Sequence, residues 1–275
     1  MWYPGHIAKT KRAIKDNIKA VSAVIELVDS RIPYSSRAYE YASLFRDKKK
    51  IIIFNKYDIC EIEKTKKWIK IYENKGYIVK TVSLKSINIK NFLKKNIANE
   101  IPEKFNERRA LVVGAPNVGK STFINSLKGK KTTSVGNTPG ITRGVQWINV
   151  DSKTKIMDTP GILFPELYNK SIAYKLILAG CLKAEDDEAD DAAFFAFDYL
   201  KENNPKILEN SVENGSKLEN AYEFIENFAK KRNFLKKGGI GDYQRGLKTW
   251  LKEISDGKLG RITYEIPDEY EEIKV

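Results

Sequence analysis

Residues Gly114-Ala-Pro-Asn-Val-Gly119-Lys120-Ser121 fit the pattern G-x-x-x-x-G-K-S. In this pattern the glycines let backbone N–H groups close around phosphate oxygens. Lys120 neutralises charge at the β- and γ-phosphates, and the Ser121 hydroxyl reaches Mg²⁺. The run Ala110–Val113 before it reads as a strand, and a helix is expected to start near Lys120, the context the motif requires. Thirty-seven residues beyond Ser121, behind the apolar run Lys155–Met157, stands Asp158-Thr-Pro-Gly161. An Asp at that strand end is expected to hold the metal through water, and the Gly161 N–H to sense a γ-phosphate.

A second set of residues reads the base. Asn55-Lys56-Tyr57-Asp58 follows the run Ile51–Phe54. The Asp58 carboxylate accepts from both N1–H and the 2-amino group of guanine, a pair that adenine lacks. Asn55 is expected to offer its amide to the base, and Lys56 to lay its stem along it. Such a polar site rejects the wrong base because its groups are left unpaired. Ser83-Leu84-Lys85, after Tyr77–Val82, matches the S-A-K element that backs a base, with leucine in place of alanine. A plain strand-end turn is the competing reading. In an ordinary small GTPase the phosphate loop comes first and the guanine-reading motif near the end. Here the order is reversed. Joining the original termini and cutting elsewhere preserves the sheet, because termini often lie close together. The order therefore predicts a circularly permuted GTPase domain and disfavours an ATP-using kinase.

Six short β-branched-rich runs must position these loops: Ala23–Val28, Ile51–Phe54, Tyr77–Val82, Ala110–Val113, Val145–Val150 and Lys155–Met157. Helical stretches such as Lys64–Tyr72 and Ile89–Asn96 lie between several of them. Strands alternating with helices predict an α/β domain over residues 1–165 with a mostly parallel six-stranded sheet. Residues 8–21 read as a basic amphipathic helix with Ile14, Ile18 and Val21 on one face. Past about residue 165 the strand-like runs stop, so a small all-helical domain is expected over 166–275, joined through 163–180. Its apolar positions are Phe194, Phe197 and Leu200, then Leu218, Tyr222, Ile225 and Phe228, then Leu247, Trp250, Leu251 and Ile254. Phe194, Phe195 and Trp250 read as core. Glu185–Asp191 reads as an acidic helix start, Asn203–Gly215 as a flexible loop, and Lys48–Lys50 as a charge cluster guarding a buried strand.

The 275 residues are 41% hydrophobic and 31% charged, the balance of a globular protein with a sizeable core. No run of 18 apolar residues exists, so no membrane span or membrane partner is expected. The sequence MWYPGHIAKTKR lacks an apolar signal core. Cys60 and Cys181 are too few for a disulfide framework or a cysteine-rich zinc site, and a reducing, cytoplasmic setting is expected. His6 is the single histidine, which excludes a multi-histidine metal site. Net charge is +13, with 25 basic against 12 acidic residues up to residue 110, and 15 against 21 after residue 180. A basic surface of this kind favours nucleic acid, with solvated lysine-rich faces as the alternative.

Several segments together resemble the YlqF/RbgA family of circularly permuted ribosome-assembly GTPases. They are Trp2-Tyr-Pro-Gly-His6, Asp29-Ser-Arg-Ile-Pro33, Pro116–Thr122, Gly136-Asn-Thr-Pro-Gly-Ile-Thr142 and Asp158-Thr-Pro-Gly-Ile-Leu163. Gly238-Gly239 and Gly257-Lys-Leu-Gly-Arg261 resemble glycine-containing signatures in that family's C-terminal region. The resemblance covers almost the whole chain. It implies a GTP hydrolase of late large-subunit assembly, slow alone and stimulated by the particle. Its partners would be the large ribosomal subunit precursor and its rRNA, nucleotide state would control association, and a monomer is expected. The alternative is a nucleotide-gated RNA-binding clamp with incidental hydrolysis.

The GTP-binding set then comprises Asn55, Lys56, Tyr57, Asp58, Ser83, Leu84 and Lys85 for the base, and Asn117, Val118, Gly119, Lys120, Ser121, Thr122 and Gly161 for the phosphates. Thr142 matches the switch threonine that closes over Mg²⁺, so Ser121, Thr142 and, through water, Asp158 would hold the ion. Ile162 stands where Ras-like enzymes place a water-orienting glutamine. Its side chain has no polar atom for that task. The family pattern offers His6 instead, with simple packing or RNA contact as the competing role. Catalysis is thereby assigned to His6, Lys120 and Thr142. The resemblance also implies that Asn117 helps hold a K⁺ ion. Lys230–Lys237, with Phe234, is the best C-terminal RNA contact.

Overall fold

The structure is a computed structural model that describes residues 12, 14–128, 146–158 and 169–270. His6, Thr142, Gly161 and Ile162, together with the Trp2–His6 and Gly136–Thr142 motifs, lie outside the described residues.

The strands are β1 (Ala23–Asp29), β2 (Lys49–Asn55), β3 (Ile78–Thr81), β4 (Glu103–Lys104), β5 (Glu107–Gly114), β6 (Gln146–Asn149) and β7 (Thr154–Asp158). They form one sheet in the order β3-β2-β1-β5-β7-β6, with β4 paired to β5. All six predicted strands are present. The sheet nonetheless has seven, because β4 forms a short antiparallel hairpin with β5. β6 runs antiparallel to β7, whereas β3, β2, β1, β5 and β7 run parallel to one another. Every residue of β1 is buried. That is why it reads as a nearly unbroken apolar run, as a strand covered on both faces must.

Helices α1 (Ile62–Asn74), α2 (Ile89–Asn96) and α3 (Lys120–Lys128) accompany the sheet. Trp68 and Tyr72 of α1 are buried, as are Ile89 and Leu93 of α2. In the N-terminal segment, residues 14–17 are helical and Ile18–Ala20 form a 3₁₀ turn, with Ile14, Ile18 and Val21 buried as their spacing predicts. The rest comprises α4 (Lys170–Leu178), α5 (Asp186–Asn203), α6 (Pro205–Ser211), α7 (Ala221–Lys231) and α8 (Tyr243–Ser255). The acidic run does start a helix: Glu185 and Glu188 form a capping box, and Asp186 and Asp187 lie in the first turn of α5.

Four expectations for this region need correction. Asn203–Gly215 is no loop, since α6 begins there with Pro205 in its first turn and buries Ile207 and Leu208. Phe194 is 41% exposed, because α5 turns Phe197 and Leu200 into the core instead. Tyr222 is exposed and stacks on Tyr243 at 4.5 Å. Nor is the region wholly helical: Leu235 and Gly241 form a β-bridge, and an extended segment after Gly257 returns to the sheet. One continuous core joins Ile25, Val112 and Phe123 at the sheet to Phe197, Phe224 and Trp250 among the helices. Each large side chain so buried contributes about 1.5–3 kcal/mol.

Candidate functional site

The register brings the chemistry to one edge. Asp29 pairs with Asn55, Leu27 with Gly114, and Val112 with Asp158, so these strands end together at their carboxyl ends. Loops beyond that edge are where open α/β sheets bind ligands.

At the phosphate end, backbone proximity makes glycine necessary. A Cβ on Gly114 would lie 2.9 Å from the Leu27 carbonyl oxygen. Gly119 has φ +112°, and a side chain there would run into the Asn55 amide. Lys120 opens α3, and its Nζ lies 3.0 Å from Asp158 Oδ1. Ser121 and Thr122 sit exposed on the same first turn. A lysine, a hydroxyl and a carboxylate thus converge on a helix N-terminus, a site for a polyphosphate. Among the described residues no three His, Cys, Asp or Glu side chains cluster as a metal cage. A divalent ion here would rely on the Ser121 hydroxyl, the Asp158 carboxylate and phosphate oxygens, a donor set suited to Mg²⁺.

At the base end Asn55 has protein partners that its motif does not indicate. Its Nδ2 donates to the Val118 carbonyl at 2.6 Å, and its Oδ1 accepts from the Leu84 N–H at 3.0 Å. Asn55 therefore braces the phosphate loop against the 83–85 turn, using one of the two hydrogens of its amide. Lys56 adopts φ +59°. Its ammonium lies 2.7 Å from Asp29 Oδ2 and donates to the Ala179 carbonyl at 3.3 Å. The Tyr57 N–H donates to the Val82 carbonyl at 3.2 Å, tying the motif to the strand end before Ser83. The Ser83 hydroxyl donates to Asp58 Oδ1 at 2.6 Å, and the Asp58 N–H donates back to Ser83 Oγ at 3.1 Å. Both motifs thus meet at one exposed carboxylate.

Behind this corner lies a buried network that sequence reasoning did not assign. Arg31 donates to Asp29 through Nε and Nη2, at 3.0 and 2.9 Å. Its guanidinium also donates to the carbonyls of Ala179 (2.9 Å), Ile254 (3.2 Å) and Ser255 (3.0 Å), at the ends of α4 and α8. Carbonyls at a helix end lack the amide four residues on that helix-interior carbonyls bond, and the guanidinium supplies a donor to each of these three. Burial opposes ionisation of Asp29, but Arg31 and Lys56 beside it outweigh that and hold the carboxyl well below the usual range. The signal was present as Asp29-Ser-Arg31 directly after an apolar strand. Two charges so close to a buried run call for a shared partner.

The Asn117 side-chain amide, on a residue at φ +58°, donates to the Gly180 carbonyl at 2.8 Å. A cleft of about 650 Å³ runs between the two halves. Lys56, Asp58, Lys85 and Asn117 face Lys183 and Asp256 across it. Cys181 is buried nearby, and burial pushes its thiol up to about 12, which removes it as a nucleophile.

The comparisons with known proteins agree with this geometry. A family model described as RsgA GTPase matches residues 16–168, and one described as 50S ribosome-binding GTPase matches residues 109–233. The second match starts at the phosphate-loop strand, in the middle of the permuted order. Ribosome biogenesis GTPase A of Thermotoga maritima is 40% identical over 98% of this chain and 95% of its own. The chain belongs to the ribosome biogenesis GTPase A family. The Bacillus cereus member is 32% identical over the same shares. Two solved structures of YlqF, one GDP-bound and one from T. maritima bound to GNP, each superpose with a TM-score of 0.70 at 35% and 36% identity. They cover 93% and 94% of this chain and 99% of their own. Membership in this family fixes the permuted GTPase fold.

Proposed function

We propose that this chain hydrolyses GTP to GDP and phosphate as an assembly factor for the large ribosomal subunit. The observation that carries it is the convergence of Asp58 and Lys120 on one sheet edge, with a cleft sized for a nucleotide at the base corner. Asp58 selects guanine, Lys120 neutralises phosphate charge, and Ser121 with Asp158 and Thr142 holds Mg²⁺, which supplies further charge neutralisation when bound. Lys120 leaves Asp158 for the nucleotide phosphates as they enter. His6 aligns the attacking water, the task that Ile162 has no polar atom to perform. Asn117 contributes Oδ1 to a K⁺ ion beside the phosphates. Residues 1–165 form the nucleotide domain and 166–275 the particle-facing domain. There Lys230–Lys237 gives a basic surface for rRNA, and Arg245 stacks on Phe234 at 4.1 Å. The protein acts as a cytoplasmic monomer.

Phosphate release from GTP and from ATP, with and without large-subunit particles, tests this. Release is expected from GTP alone, faster with particles, and about tenfold slower in His6→Ala at unchanged GTP affinity, the pattern of a transition-state contact. Equal turnover of ATP would contradict the base assignment. A wild-type rate in His6→Ala would return that histidine to a packing role.

A further inference from the structure

The segment Gly257–Thr263 runs back across the sheet edge and lies along the guanine-reading turn. Gly257 has φ +73°, and a Cβ there would lie 2.6–2.9 Å from three side-chain atoms of Ile59. The Arg261 Nε donates to the Asp58 carbonyl at 3.2 Å. The Ile262 N–H donates to the Ile59 carbonyl at 3.2 Å. Thr263 then closes the run: its N–H donates to Glu61 Oε2 at 2.9 Å, and its Oγ1 accepts from the Glu61 N–H at 2.9 Å. On the other flank Lys56 reaches the Ala179 carbonyl.

The 3₁₀ turn Tyr57–Ile59 that carries Asp58 contains no buried side chain. Its own packing therefore does little to fix where the Asp58 carboxylate points. The Ser83 hydroxyl holds the carboxylate itself, and the main chain of the turn is held by contacts from a segment some 200 residues away. A carboxylate that must accept two parallel hydrogen bonds tolerates little rotation, because both bonds weaken steeply off-axis.

We infer that Gly257–Thr263 is a positioning strap for the guanine-reading turn, with Arg261 as its positioning residue for Asp58. Guanine selectivity then belongs to the whole chain and not to the nucleotide-binding half alone. The inference rests on the assignment of Asp58 to the base.

Equilibrium binding of GDP, IDP and XDP to the full chain and three variants tests it. Inosine lacks the 2-amino group, so the GDP/IDP affinity ratio reports how well Asp58 is aimed. Arg261 is exposed, and its replacement leaves the core intact. In Arg261→Met, GDP affinity is expected to fall about tenfold while IDP affinity falls less than about threefold. Arg261→Lys, which still donates to a carbonyl, restores most of the ratio. Equal weakening of both nucleotides, or an unchanged ratio, would overturn the strap. Asp58→Asn is the control for the assignment beneath it, with preference expected to move from GDP toward XDP. If Asp58→Asn shows no such move, the base assignment itself fails. If it does while Arg261→Met keeps the ratio, only the strap fails.

Discussion

At the base end of the cleft, Asn55, Lys56 and Asp58 each have side-chain partners drawn from other loops, at 2.6–3.3 Å. At the phosphate end, the framework is glycine-permitted backbone together with the largely buried Lys120–Asp158 pair. The base end is held in place by two regions far apart in the chain, so its geometry exists before a nucleotide arrives. The phosphate end must exchange a protein ion pair for a protein–phosphate contact. On the proposed reading, specificity is prepared in advance, whereas the catalytic charges are rearranged by the substrate.

Breaking the bracing at the base end is expected to have the largest effect. Arg31→Met leaves Asp29 buried with Lys56 and strips a donor from three helix-end carbonyls. A buried pair cut on one side loses about 3–5 kcal/mol, which urea unfolding would measure. A loss below about 1 kcal/mol would show that the network is not what fixes this corner. The effect also has a pH signature. The folded-state pKa of Asp29 lies below its ordinary 3.8. Its contribution is therefore complete above that value and is lost as pH falls below it toward the folded value. Arg31→Met should flatten this acid-side loss.

The phosphate end is broken by Lys120→Ala. Single-turnover hydrolysis is expected to fall about 10²–10³-fold, the usual cost of removing one charge-stabilising donor. The GDP/IDP affinity ratio should stay at its wild-type value. A changed ratio would mean that the two ends are not separable. The smallest effect sharpens the role of Asn117. Replacing K⁺ with Na⁺ at constant ionic strength should slow turnover at saturating GTP by about tenfold, a barrier change near 1.4 kcal/mol. Equal rates in both salts would leave Asn117 as a structural link to Gly180.

The same contrast explains what the sequence revealed. The phosphate loop is legible because backbone geometry demands glycine at fixed positions, and the strand positions because burial on both faces demands continuous apolar runs. Asn55–Asp58 was legible as a motif, but not Asn55's use as a brace between Val118 and Leu84, which depends on contacts 29 and 63 residues away. Asp29 and Arg31 beside an apolar strand signal a buried pair, but nothing local indicates that the other partners of Arg31 are the ends of two distant helices. The helix within 203–215 is hard to read because four Asn and a Gly punctuate the stretch, and Pro205 signals a turn as readily as a first helical position. Phe194 faces solvent because neighbouring aromatics at one helix turn cannot all face the core.

Lys56 and Asn117 both reach carbonyls just beyond α4, at Ala179 and Gly180, so the nucleotide loops and the helical region share contacts. Anything that moves those loops on exchanging GDP for GTP acts on the helical region, and by linkage a particle bound there must favour one nucleotide by the same factor. The most direct measurement is the affinity of the chain for large-subunit precursor particles, by sedimentation, with a non-hydrolysable GTP analogue and with GDP. Tighter binding with the analogue is the expected result. Identical affinity in the two nucleotide states would contradict a GTPase whose nucleotide governs its hold on the particle.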